Sequence, residues 1–199
     1  MSKEFWNSRY SNEQYSYGTE PNQFFKSYLD NLKPGKALFL GEGEGRNSVY
    51  AAKLKWNVDA VDFSDSAKDK AINLANNNNV KINYTVCDLS EYNFAEENYD
   101  LVVMIFLHLP SELTKRIFTG AIKSLKRNGL LLVEAFHKNQ IKNNSGGPKN
   151  IDLLVDENDF INLTSGLEQV LLETKVINLS EGEHHSGIAD VVRFIGKKV

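Results

Sequence analysis

The stretch Leu38-Phe39-Leu40-Gly41-Glu42-Gly43-Glu44-Gly45-Arg46-Asn47 decides how this chain is read. A short apolar run ends in three glycines at alternate positions, and a helix-compatible run starts at Arg46. Glycine there allows a tight turn and the close approach of a ligand, as where a strand feeds a helix beside a nucleotide-type site. About 20 residues on, a second apolar run closes with Asp62, where a carboxylate can hold ribose hydroxyls. Loop and acid together point to an adenosine-containing cofactor.

The spacing says which one. A dinucleotide loop reads G-x-G-x-x-G and would need its third glycine at Arg46, whereas this loop is G-x-G-x-G. Glu42 and Glu44 would also repel a pyrophosphate, but suit the ammonium and sulfonium of S-adenosylmethionine; the alternative is that both are solvated loop charges. S-adenosylmethionine is therefore the expected cofactor, and a nicotinamide-dependent oxidoreductase the less favoured one.

Outward from the loop, apolar runs alternate with helical stretches, the pattern of β-α-β units. Strands are expected at 37–40, 58–61, 82–86, 101–105, 130–135, 170–177 and 191–196. Helices are expected at 46–55, 66–76, 111–126 and 156–163, the last two opened by Ser111 and Asp156. Asn76 to Asn79 and Asn128-Gly129 read as helix stops. Only a short Gly/Glu/His loop, 180–188, separates the last two strands, so they must pair antiparallel. The expectation is an α/β fold: a Rossmann-like, seven-stranded, mostly parallel sheet with an antiparallel last strand and helices on both faces. One domain over 1–199 is expected, with an aromatic-rich helical cap at 1–35 and the core at 36–199. The irregular stretch 137–150 reads as an active-site loop.

Further candidates lie at strand ends. Asp88, after Cys87, can accept from an adenine amino group or cap a turn. His108, in Leu107-His108-Leu109-Pro110, either lines the substrate pocket, as a general base or otherwise, or hydrogen-bonds the loop before Pro110. Tyr10, Tyr17 and Trp6 either close over the site or simply pack the cap. Arg9 and Arg46 can orient an anionic acceptor, with Arg46 equally readable as a surface charge. His184 and His185 invite a metal, but neighbouring strand residues point to opposite faces and no ligand spacing completes a site; no metal is expected, and His185 is placed at the pocket edge. Cys87 is given no chemistry.

Bulk properties narrow the class. The chain has 199 residues, 41% hydrophobic and 25% charged, and a formal net charge of −3. Its lysines are dispersed, which disfavours nucleic acid. No apolar run approaches the roughly 20 residues of a membrane span, so no membrane partner is expected. A single cysteine and an N-terminal run without a secretory pattern fit a cytoplasmic setting.

Phe5-Trp6-Asn7-Ser8-Arg9-Tyr10, Tyr17-Gly18-Thr19-Glu20-Pro21-Asn22, the loop Gly41 to Asn47, Val61-Asp62-Phe63-Ser64, Leu107-His108-Leu109-Pro110 and Val191-Val192-Arg193 together resemble a known family. It is that of class I S-adenosylmethionine-dependent methyltransferases, within it small bacterial proteins related to tellurite-resistance and thiopurine methyltransferases. The resemblance spans nearly the whole chain. It implies that Gly41 and Gly43 hold the methionine part, Asp62 the ribose and Asp88 the adenine. Glu42, Gly45, Phe63 and Leu89 complete the expected cofactor set. Two departures stand out: Phe39 replaces the acid usual two positions before the first glycine, and Lys126-Arg127-Asn128-Gly129 replaces Lys-Pro-Gly-Gly. The implied activity is methyl transfer to a small molecule, a thiol, chalcogen oxyanion, amine or hydroxyl, with a non-catalytic cofactor-binding protein as the alternative.

Overall fold

The computed structural model of the chain describes residues 2–199. Strands β1 (Lys36–Leu40), β2 (Asn57–Asp62), β3 (Asn83–Val86), β4 (Tyr99–Ile105), β5 (Leu125–Phe136), β6 (Glu168–Ser180) and β7 (Ser186–Lys197) form one sheet in the order β3-β2-β1-β4-β5-β7-β6. The first five strands pair parallel, and β7 runs antiparallel to both β5 and β6. Helices are α1 (Lys3–Tyr10), α2 (Gln23–Leu29), α3 (Arg46–Lys53), α4 (Asp65–Asn77), α5 (Ser111–Ser124) and α6 (Glu157–Leu163). The expected fold class is therefore observed, including the antiparallel last strand.

Side-chain alternation along β1 shows why helices cover both faces. Ala37 and Phe39 join a core with Phe25 and Leu29 of α2, Val49 of α3 and Leu74 of α4. Leu38 and Leu40 join the opposite core, with Ile117 and Phe118 of α5 and Phe160 of α6. A strand buried on both sides needs apolar residues at every position, which is what the unbroken apolar run supplies.

Register then sets the site. Leu40 lies beside Val61 and Asp62 beside Val86, so the carboxyl ends of β1, β2 and β3 share one rim. The order reverses between β1 and β4, where doubly wound sheets open a crevice for ligands.

Several boundaries differ from expectation. Helix α5 stops at Ser124 instead of running to 126, because Leu125 is fully buried and already extended as the first residue of β5. Asn128-Gly129 is consequently no helix stop: Asn128 (φ +66°) turns within β5 and donates its backbone N–H to the Lys198 carbonyl, while the Lys198 N–H donates to the Gly129 carbonyl. Ser111 is the first helical residue of α5 and gives no side-chain cap, its N-cap position being Pro110. Asp156 does cap α6, in a reciprocal box with Asp159. The β6–β7 ladder runs from Glu168↔Lys197 to Ser180↔Ser186, longer than the apolar residues alone indicate, because polar residues extend an exposed edge strand at little cost.

Gly45 has φ +91°, and a Cβ there would lie 2.7 Å from the Ala71 Cβ of α4. Gly45→Ala is expected to destabilise the protein by about 2 kcal/mol or more through backbone strain and overpacking. Urea unfolding would measure it, and an unchanged midpoint would contradict this packing.

Candidate active site

A cavity of about 610 Å³ opens at the carboxyl rim of the sheet. Its floor comes from Gly41 after β1, Asp62 and Phe63 after β2, Cys87, Asp88 and Leu89 after β3, and residues 105–110 after β4. Its roof comes from α1 (Phe5, Trp6, Arg9, Tyr10) with Tyr17, from the loop 144–148, and from Glu183, His184 and His185 of the β6–β7 turn. Of the expected site residues, Gly41, Asp62, Phe63, Asp88, Leu89, Arg9, Tyr10, Tyr17, His108 and His185 thus share one cavity.

Glu42, Gly43, Gly45 and Arg46 do not reach its wall. Glu42 turns back to accept the backbone N–H groups of Asn47 (3.1 Å) and Ser48 (2.7 Å), serving α3 as the cap that Gly45 cannot provide. Glu44 is buried, accepting from the Ser16 backbone (2.8 Å) and Lys70 (2.6 Å). Neither glutamate is therefore a free loop charge. A Cβ on Gly43 would meet the Tyr10 hydroxyl at 2.9 Å, so its glycine reflects left-handed backbone and the close-lying cap. Arg46 is not a surface charge: it is 8% exposed and donates to Glu181 (2.8 Å).

Asp62 binds the loop together. Its Oδ2 accepts from the Gly43 N–H and its Oδ1 from the Ser64 N–H, both at 3.0 Å. Burial pushes this carboxyl up, opposed by the N–H groups of Ser64, Gly43 and Phe63. A carboxylate has about four acceptor positions, so these N–H groups leave acceptor capacity at Asp62 unfilled. Asp88 keeps Oδ1 on the Ser90 N–H (2.8 Å) and is otherwise exposed to the cavity.

Behind the rim lies a network that the sequence reading missed. Glu134, fully buried at the end of β5, accepts from Asn22 (2.5 Å) and Arg193 (2.6 Å). Asn22 also donates to Glu181 (3.0 Å), which Arg46 and His185 approach from the other side. Burial would raise Glu181, but hydrogen bonding to His185 and the charge and hydrogen bond of Arg46 hold it down at about 2. The signal was available: Glu134 interrupts the apolar run Leu130 to Phe136, and a charge in such a run is rarely unpaired.

His185, in the β6–β7 turn, is 5% exposed. Its ring lies 4.5 Å from Tyr17 and 4.7 Å from Phe106. Phe106 is a further residue missed from sequence; its φ of +52° is strained for a side chain of this size and is held by stacking on Phe136 at 4.5 Å. His108 stacks on Phe136 at 5.4 Å, with Nε2 buried and without a hydrogen-bond partner. Burial and the neighbouring His185 push it down to about 4, leaving it neutral near pH 7.

Residues 37–129 match the family model described as "Methyltransferase domain". Among curated relatives, the chain is 24% identical over 113 residues to the ubiquinone biosynthesis O-methyltransferase of Rickettsia bellii, covering 57% of the chain and 47% of the relative. It is 30% identical over 99 residues to the probable S-adenosyl-L-methionine-dependent methyltransferase TehB of Haemophilus influenzae, covering 49% and 33%. The chain thus spans less than half the length of these relatives. Among solved structures, Haemophilus influenzae TehB superposes with a TM-score of 0.76 at 18% identity, covering 99% of this chain and 67% of that one. The Bradyrhizobium japonicum N-methyltransferase NodS, solved with S-adenosyl-L-homocysteine, gives 0.73 at 15% identity over 98% and 97%. A protein from work on conversion of a disulfide bond into a thioacetal group in echinomycin biosynthesis gives 0.81 at 12% identity over 98% and 91%.

The site carries its own pH dependence. Burial raises Glu42 from the ordinary 4.5 to about 7, against the N–H groups of Ser48 and Asn47 and the charge of Arg46. Folding therefore takes up a proton in this window, so Glu42 stabilises the fold below about pH 4.5 and loses that contribution as pH rises through 7. Glu42→Gln keeps an acceptor for α3 but cannot ionise. Its stability relative to the parent is expected to rise from pH 4.5 to 7 in thermal melts; a constant difference would contradict the assignment.

Proposed function

We propose that this chain transfers the methyl group of S-adenosylmethionine to a small anionic acceptor, a thiolate or a chalcogen oxyanion. The observation that carries this reading is the composition of one cavity. Two carboxylates from adjacent strand ends, Asp62 and Asp88, stand on its floor, and Arg9 stands on its roof.

The fit to the cofactor rests on these groups. Gly41 has φ +66°, and a Cβ there would run into Leu107 Cδ1 at 2.5 Å, so the backbone stays open at the rim. Asp62 would accept the ribose hydroxyls with the acceptor capacity its backbone N–H donors leave. Asp88 would accept from the adenine amino group and the Phe63 ring would offer its face to the base, with Leu89 closing the far side. When bound, the cofactor supplies a methyl group on a sulfonium, open to in-line displacement by an acceptor lone pair.

The chain's remaining task is alignment and the exclusion of water. An acceptor that is already anionic needs no base, so positioning supplies most of the acceleration. Among the described residues, Arg9 is the one lysine or arginine on the cavity wall; its Nη1 donates to the Tyr17 hydroxyl at 3.1 Å and it pairs with no carboxylate. Its guanidinium is thus free to hold an anion. Trp6 and Tyr10, stacked at 5.3 Å, and Tyr17 form the cover, whose ring faces favour a sulfonium.

Calorimetric titration with S-adenosylmethionine, S-adenosylhomocysteine and NADH tests the reading. Micromolar binding of the first two alone is expected, and Asp62→Ala should weaken it at least tenfold, since each charged hydrogen bond contributes on the order of 1.5–3 kcal/mol. Preference for NADH would overturn the cofactor assignment. In transfer assays with small thiols and tellurite or selenite, Arg9→Ala should raise KM about tenfold with little change in cofactor affinity; an unaltered KM would remove Arg9 from the acceptor site.

A further inference from the structure

A second cavity, of about 560 Å³, lies behind the first. It sits between α5, α6 and the carboxyl halves of β4 and β5, and its wall is mostly apolar, including Met104, Ile117, Phe118, Val133, Phe160 and Leu163. Leu107 and Leu109 line both cavities, so the segment after β4 is the partition between them. We infer that this cavity seats the apolar body of the methyl acceptor, whose reacting head lies beside Arg9. The inference rests on the methyltransferase reading for the identity of the head, and on the cavity alone for the body.

Three observations support it. Protein interiors are close-packed, with few voids larger than a water molecule, so a space of ligand-pocket size lined by large aliphatic and aromatic side chains is not ordinary packing slack. The cations at its edge are neutralised: Lys138 pairs with Asp156 (2.7 Å) and Asp159 (2.8 Å), and Lys115 with Glu112 (2.8 Å), so nothing there recruits a second anionic group. Asp152, among the described residues the carboxylate on this wall with no paired cation, is exposed, so the buried part of the occupant is apolar. Finally, His108 in the partition keeps Nε2 buried with no partner. Buried polar atoms are nearly always paired, and a polar linkage between head and body would supply the missing partner as the ligand crosses this segment. Of the two proposed acceptors this selects the thiolate over the chalcogen oxyanion, as an amphipathic molecule with a small anionic head on an aliphatic or aromatic body.

Protein loaded with S-adenosylhomocysteine and titrated with the neutral fluorophore N-phenylnaphthylamine provides the test, followed by displacement with straight-chain thiols from ethanethiol to octanethiol. Saturable probe binding is expected, with displacement tightening roughly fourfold per methylene until the cavity is full, the partition gain of one buried CH₂. Thr114→Trp, filling the cavity from α5, should weaken the probe at least tenfold and flatten the length dependence while retaining S-adenosylhomocysteine affinity. Leu163→Trp, filling it from α6, should do the same, which guards against local collapse in either variant. No saturable binding, or a length dependence that survives both fillings, would overturn the inference. Probe binding with the expected length dependence but no affinity for S-adenosylhomocysteine would uphold the cavity and sink the methyltransferase reading instead.

Discussion

The Asp62 carboxylate, received by the N–H groups of Gly43 and Ser64, is the constraint on which the site depends. A carboxylate at 7% exposure is costly unless it is hydrogen-bonded, and these two bonds satisfy it while fastening the glycine loop to the end of β2. The same bonds set the start of α4, where Ser64 is the N-cap and its hydroxyl accepts from the Ala67 N–H at 3.1 Å. The loop after β1, the strand end of β2 and the first turn of the next helix are thereby one rigid unit, and the parallel register carries Asp88 to the same rim.

A second set of polar contacts fastens the cover to this unit. Asn22 precedes α2 and its backbone N–H donates to Asn47 of α3 at 2.9 Å, while its side chain bridges Glu134 and Glu181. Cap, glycine-loop helix and β6–β7 turn therefore meet at one buried cluster beneath the cavity. Removing one member of such a cluster leaves a buried charge uncompensated, which costs more than the pair itself contributes. Rigid floor and tied cover suit a reaction whose acceleration comes from alignment.

The fold was legible because its signals are local: apolar runs with turn residues between them, a glycine loop at the first strand end, and a hairpin too short for a crossover. The floor of the cavity was legible for the same reason, since Asp62, Phe63 and Asp88 each follow a strand directly. What was not legible depends on distant residues meeting. Glu42 and Glu44 look alike in the loop, yet one caps α3 and the other meets Ser16 and Lys70. Arg46 reads as a helix-start charge until Glu181, 135 positions later, is placed beside it. The second cavity left no sequence signal, because its wall residues are indistinguishable from core until the space between them is seen.

A crystal structure of the protein soaked with S-adenosylhomocysteine tests the central claim most directly. The account predicts the ribose hydroxyls on the cavity-facing side of Asp62 and the adenine between Phe63 and Leu89 with its amino group at Asp88. A ligand elsewhere on the sheet, or a ribose with no contact to Asp62, would contradict it.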